Sequence, residues 1–169
     1  MKRAILVAGV SLAGIALAGH VGAEAARTAA LPPDAAFKAG YNKCKLATPA
    51  ALSQTAGKQF ATARFDGKTC TWSSSDGNYV VLVDTHPAGY IELLGPTLGK
   101  HPNGDTARLV SLPGATKAVL ETFSHKNTGR YAKDLLAAYP QGVVQVSLNF
   151  STALSDKTTI AVARLLTHT

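Results

Sequence analysis

The octet FDGKTCTW at residues 65–72 carries two incompatible kinds of chemistry. Gly67-Lys68-Thr69 has the ending of a phosphate-binding loop, in which backbone amides cradle a nucleotide and the lysine reaches its phosphates. Cys70 has the place of a half-cystine entering a strand. The complete loop needs a glycine five residues before Gly67, and Thr62 stands there. The residues that follow, TCTWSSS, have strand character, whereas the loop must open a helix. GPTLGKH at 95–101 fails as well, being one residue short and lacking Ser or Thr after Lys100. Nucleotide chemistry is therefore excluded, and Cys70 is read as structural.

Cys44 and Cys70 are the only cysteines, so one pairing is available. Metal binding is the rival use of a thiol, but a zinc site needs three or four convergent ligands. His20, His86, His101, His125 and His168 are scattered, with no pair at ligand spacing. We expect a Cys44–Cys70 disulfide, no metal and no cofactor.

Other catalytic constellations are thin. The chain has no G-x-S-x-G and no H-E-x-x-H. Asp66 with Asp76, or Asp84 with Glu92, would give paired carboxylates if the fold brought them together. His86 and His101, each before a proline, would meet only if two predicted loops shared a cleft. Charged residues in turns are more often simply solvated. Trp72, Tyr79, Tyr90 and Tyr131 have the character of a ligand groove, although Trp72 is better assigned to the core. A non-catalytic binding module is the leading expectation. A structural or accessory domain comes second, and a hydrolase with an unrecognised site third.

Charge points to where such a module would bind. Residues 27–68 hold seven bases against Asp34 and Asp66, whereas residues 69–169 hold eight against seven acids. We expect Lys43, Lys45, Lys58, Arg64 and Lys68, with Tyr79 and Tyr90, to form the ligand surface. Its partner would be an anionic envelope polymer, a membrane surface or a small ligand, and not a nucleic acid.

The elements that must position these residues begin after a leader. Lys2 and Arg3 precede a short apolar run and then Val21-Gly22-Ala23 and Ala23-Glu24-Ala25, which both fit a signal-peptide cleavage site, and we expect the cut after Ala23. LAG at 17–19 is followed by His20 where a lipid-carrying cysteine would stand, so we expect a secreted or envelope-associated protein without a lipid anchor. Residues 24–36 read as a flexible linker and 37–169 as one domain.

Within that domain, Thr48-Pro49 starts a helix that stops at Gly57, with Ala51, Leu52 and Ala56 facing the core. Residues 59–74 read as a hairpin turning at Asp66-Gly67, with Cys70 and Trp72 on one face. Residues 79–85 are continuously apolar, as in a central strand covered on both faces. Residues 89–94 fit either a strand or a short helix, and 95–106 a long loop. Strands follow on either side of Pro113-Gly114. YAKDLLAAY at 131–139 is ambiguous, because Tyr131, Leu135 and Tyr139 also fit a helix face. Val144, Val146, Leu148 and Phe150 alternate with Gln145, Ser147 and Asn149 in a half-buried strand. Ser155 or Asp156 caps a last helix that buries Ile160, Ala163 and Leu166, joined by Val162 and Leu165. The expected class is α+β: an antiparallel sheet backed by an N-terminal and a C-terminal helix.

YNKCKLATPAALSQTAGK, then CTW, then LPGATKAVL and a C-terminal amphipathic helix resemble the actinobacterial exported proteins of domain-of-unknown-function family 3558. The resemblance rests on Cys44, Leu46, Thr48, Gly57, Cys70, Trp72, Pro113 and Gly114. Many members are lipoproteins, and His20 departs from that pattern. The resemblance implies the fold and an exported location, and leaves the activity open.

Overall fold

The computed structural model describes residues 35–92, 98–123 and 130–167. The expected signal peptide, its cleavage site and most of the linker lie outside the described residues. Ala35–Phe37 already form a short 3-10 turn, with Ala36 buried and Phe37 packed on the core. The folded part thus takes in the last two residues assigned to the linker.

A second 3-10 turn, Lys43–Leu46, leads into helix α1, Pro49–Ala56. The Thr48 hydroxyl accepts from the amide of Ala51 at 3.2 Å, and Pro49 takes the first helical position, where no amide hydrogen is needed. Gly57 ends the helix with φ of 63°, a conformation that costs glycine nothing. Leu52 and Ala56 are buried and Ala51 only partly so.

Strands β1, Thr62–Phe65, and β2, Cys70–Ser73, make the expected hairpin. β3 is Tyr79–His86, β4 Gly99–Lys100, β5 Thr106–Leu109 and β6 Lys117–Phe123. β7, Tyr131–Tyr139, and β8, Gly142–Phe150, are the longest. They form one antiparallel sheet in the order β1-β2-β3-β8-β7-β6-β5-β4. Helix α2, Asp156–Thr167, is the last described element, and the Ser155 hydroxyl caps it by accepting from the Thr158 amide at 3.1 Å.

Both helices lie against one face of the sheet. Leu52 and Ala56 of α1 and Val162, Ala163 and Leu166 of α2 share a core with Trp72, Val81, Leu120, Leu135, Val146 and Phe150. Cys44 and Cys70 are joined, their Cα atoms 5.2 Å apart, which fastens the segment leading into α1 to the head of β2. Trp72 is fully buried beside this bond, and its indole N–H donates to the Ala47 carbonyl at 3.1 Å. The fold is the expected α+β arrangement.

Three local expectations change. β3 is not covered on both faces: Val81 and Val83 are buried while Val80 and Leu82 are only partly so. Apolar side chains on its second face spread over the sheet instead of under a helix. Segment 131–139 is a strand. Tyr131, Leu135 and Tyr139 are spaced by four, which places them on one side of a helix and equally on one side of a strand. Leu136 and Ala138 are buried on the opposite face, which settles the choice. The stretch 95–106 is not wholly irregular, since β4 pairs with β5 through Gly99–Ala107 and Lys100–Thr106.

Candidate functional site

The second face of the sheet, which no described helix covers, carries a polar row beside a small apolar cluster. Across it runs one row of register partners: Arg64, Thr71, Leu82, Ser147, Asp134, Glu121, Ala107 and Gly99. Side chains directly opposite one another in antiparallel strands stand about 5 Å apart at Cβ, so Asp134 on β7 and Glu121 on β6 are adjacent carboxylates.

A hydrogen-bonded network anchors Asp134. The Gln145 amide donates to Asp134 Oδ2 at 2.8 Å and to Ser147 Oγ at 3.2 Å. Its carbonyl oxygen is then left to face His86 Nε2 at 2.8 Å. An oxygen only accepts, so His86 carries its proton on Nε2. The His86 ring also stacks on Tyr90, with centroids 4.0 Å apart and planes within 10°. Tyr90 and Ile91, in the turn after β3, pack over Val119, Leu136, Ala138 and Val143.

Burial pushes the Asp134 carboxyl above the ordinary range, against the lowering effect of the bonds from Ser147 and Gln145. Burial also raises Glu121, with further upward pressure from Asp134 and Asp105 and a counter-effect from His101. Both carboxylates are therefore less well solvated than surface acids.

Beside Glu121 the surface opens into a cleft of about 460 Å³, lined by His101, Pro102, Asn103, Asp105, Thr106, Ala107, Glu121 and Phe123. The β4–β5 turn forms its rim. There the His101 amide donates to the Asp105 carbonyl at 2.8 Å and the Gly104 amide to the His101 carbonyl at 2.9 Å. The Asn103 side chain donates to Asp105 Oδ2 at 2.6 Å. This hydrogen-bonded turn holds the rim in shape above β6.

The basic residues singled out in the sequence are not gathered on one surface. Lys43 is 5% exposed, donates to the Lys68 carbonyl and lies 5.9 Å from the Phe65 ring centroid. Burial lowers its pKa, with Asp84 opposing, so its charge is not offered to a partner. Lys68 is exposed but paired with Asp84 at 2.9 Å. Arg64 lies on the row described above, whereas Lys58 sits on the helix side, 4.9 Å over the Tyr79 ring. Lys45 is exposed beside the disulfide. Tyr79 packs edge-on against Phe150 in the core, and Tyr90 alone of the two tyrosines joins the polar face.

The other candidates also have settled places. Asp66 accepts from the amides of Thr69 and Lys68, and Asp76 binds Ser74 and Asn78, so each closes its own turn. Asp84 faces Lys68, and Glu92 lies 3.6 Å from Lys117. His86 on β3 and the cleft beside β6 are three strand spacings apart, about 14 Å, so the two histidines serve different places. Among the described residues, no three of His, Cys, Asp or Glu converge to hold a metal ion. No described helix is long and apolar enough to cross a membrane.

Gln145 and Ser147 were legible as the wet side of β8. Asp134 and Glu121 were not, because their adjacency depends on the register of β6 against β7. No family model matches the chain, and a search of curated proteins finds no match.

Proposed function

We propose that the protein is an extracytoplasmic, non-catalytic binding module that takes a small ligand in the cleft at the β4–β6 end of its polar sheet face. The observation that carries this reading is the asymmetry of the sheet. One face is covered by both helices and the disulfide, while the other holds an opening of about 460 Å³ lined by Phe123 and several polar residues. Ligand sites combine this size with few, fixed polar groups. The disulfide is compatible with a location outside the cytoplasm. The leader-like first residues support export, and the cysteine pair with Trp72 beside it supports kinship with family 3558.

Contact with an anionic envelope polymer or membrane surface is the weaker reading. It needs five bases on one surface, and Lys43 is buried, Lys68 is paired and Lys58 is on the helix side.

Isotope-labelled protein titrated with a small-molecule library tests the proposal. Amide shifts should gather at 101–107 and 121–123. Shifts confined to the helix side, or to Lys45 and Arg64, would overturn it.

A further inference from the structure

The charged side chains within strands β4, β5, β6 and β7 are sorted by face. Lys100 and Lys133 share one register row with Thr106 and Thr122, and Arg108 lies in the row of Leu120 and Leu135; both rows belong to the helix side. There, Arg108 and Lys133 both bind Asp156 at the start of α2. Lys117 reaches the polar face but lies 3.6 Å from Glu92. Glu121 and Asp134 occupy the polar face, and Asp105 lines the cleft with Glu121. Among the described residues, His101 is the only basic side chain lining that cleft. Among the described residues, two carboxylates and one imidazole thus line a concave space with the Phe123 ring as a wall, and Asp134 stands next to Glu121 on the neighbouring strand.

We infer that the cleft recognises a small organic cation, an ammonium group on an apolar body, with Glu121 as its counter-charge and Phe123 as the surface for the apolar part. This rests on the cleft being the ligand site. An aromatic ring attracts a cation over its face, and a carboxylate that is incompletely solvated gains more from an incoming positive charge than one in bulk water. A divalent metal ion fits less well, because among the described residues no three potential ligands converge. An anionic ligand would have to approach Glu121, with the Asp134 carboxylate directly across from it on β7. Asp134 is already engaged by Gln145 and by Ser147. It acts at one remove, by setting the field at Glu121.

Three probes of one shape and different charge separate the possibilities: 2-phenylethylammonium, 2-phenylethanol and phenylacetate, each titrated into labelled, disulfide-bonded protein at pH 7.5. The expected result is that the ammonium shifts the amides of Ala107, Glu121 and Phe123 and binds at least tenfold more tightly than the alcohol. Phenylacetate should not bind. Glu121→Gln should weaken the ammonium at least tenfold and leave the alcohol unchanged, with thermal melting confirming that the variant folds. Asp134→Asn should weaken it about threefold. Equal binding of all three probes in the cleft would overturn the cation inference while leaving the cleft as the ligand site. If every probe misses the cleft, the site assignment falls, and the inference with it.

Discussion

Glu121 and Asp134 stand directly across from one another on partly buried strands, a placement that antiparallel sheets ordinarily avoid for like charges. Each has its pKa raised, by burial first and, for Glu121, by Asp134 and Asp105 as well. A carboxyl whose folded pKa exceeds its unfolded one binds protons more tightly in the native state, so stability falls as pH rises between the two values. The pair should make the protein more stable in mild acid than at neutrality, over the window that opens above the ordinary carboxyl range. Asp156 acts in the opposite sense. Its pKa is lowered by Lys133 and Arg108, and its contribution is lost as pH falls through the depressed value. Urea denaturation from pH 4.5 to 8 should show wild type losing stability toward the upper end. Glu121→Gln should flatten that loss, and an unchanged slope would show that Glu121 does not contribute to it.

Among the elements, β8 depends on a glycine at its first residue. A Cβ at Gly142 would lie 2.5 Å from the His86 carbonyl oxygen and 3.0 Å from the Phe37 ring. Gly142→Ala should cost about 1–3 kcal/mol, the usual range for overpacking. It should also disturb the His86–Tyr90 stack, visible as shifts of the His86 ring protons. A fully stable variant with an unmoved ring would mean that β3 and β8 can separate freely at that end. Nothing in the sequence around Gly142 announced this contact, since Phe37 is far away in the chain. By contrast, α1, the β1–β2 hairpin, β8 and α2 were legible because their signals are local: a cap, a turn or an alternation. Segment 131–139 was not, because a spacing of four satisfies helix and strand alike. The cleft was legible only as a loop rich in Pro and Gly. Its carboxylates became neighbours through pairing across β6 and β7, which no local pattern encodes.

For the molecule as a whole, the disulfide is the largest single constraint on the unfolded chain. Closing a loop between residues 26 apart is worth about 3.5 kcal/mol in the chain-entropy model. Cys70→Ser should therefore lower the free energy of unfolding by about 2–4 kcal/mol, read from denaturant midpoints at unchanged slope. Part of that loss would come from Trp72, whose pocket the bond helps to shape. A loss within experimental scatter would mean that the core alone holds the α1 segment to β2. If the leader is removed after Ala23, mature protein should begin at Glu24 and its mass should lack both thiol hydrogens. A cytoplasmic product that keeps Met1 and two free thiols would contradict export.

Strand length tapers across the sheet. β7 and β8, at the centre, have nine residues each, whereas the outermost strands β1 and β4 have four and two. An outer strand exposes a line of unsatisfied backbone donors and acceptors that can recruit another chain and seed a fibre. Here those lines are short. The described template at β4 is two residues long, and at β1 the exposed Arg64 would meet its own counterpart in a two-fold pairing centred on that residue. The long, strongly apolar strands that would aggregate most readily are enclosed on both sides by neighbours. Short outer strands thus limit edge-to-edge pairing in a sheet of eight strands that does not close into a barrel.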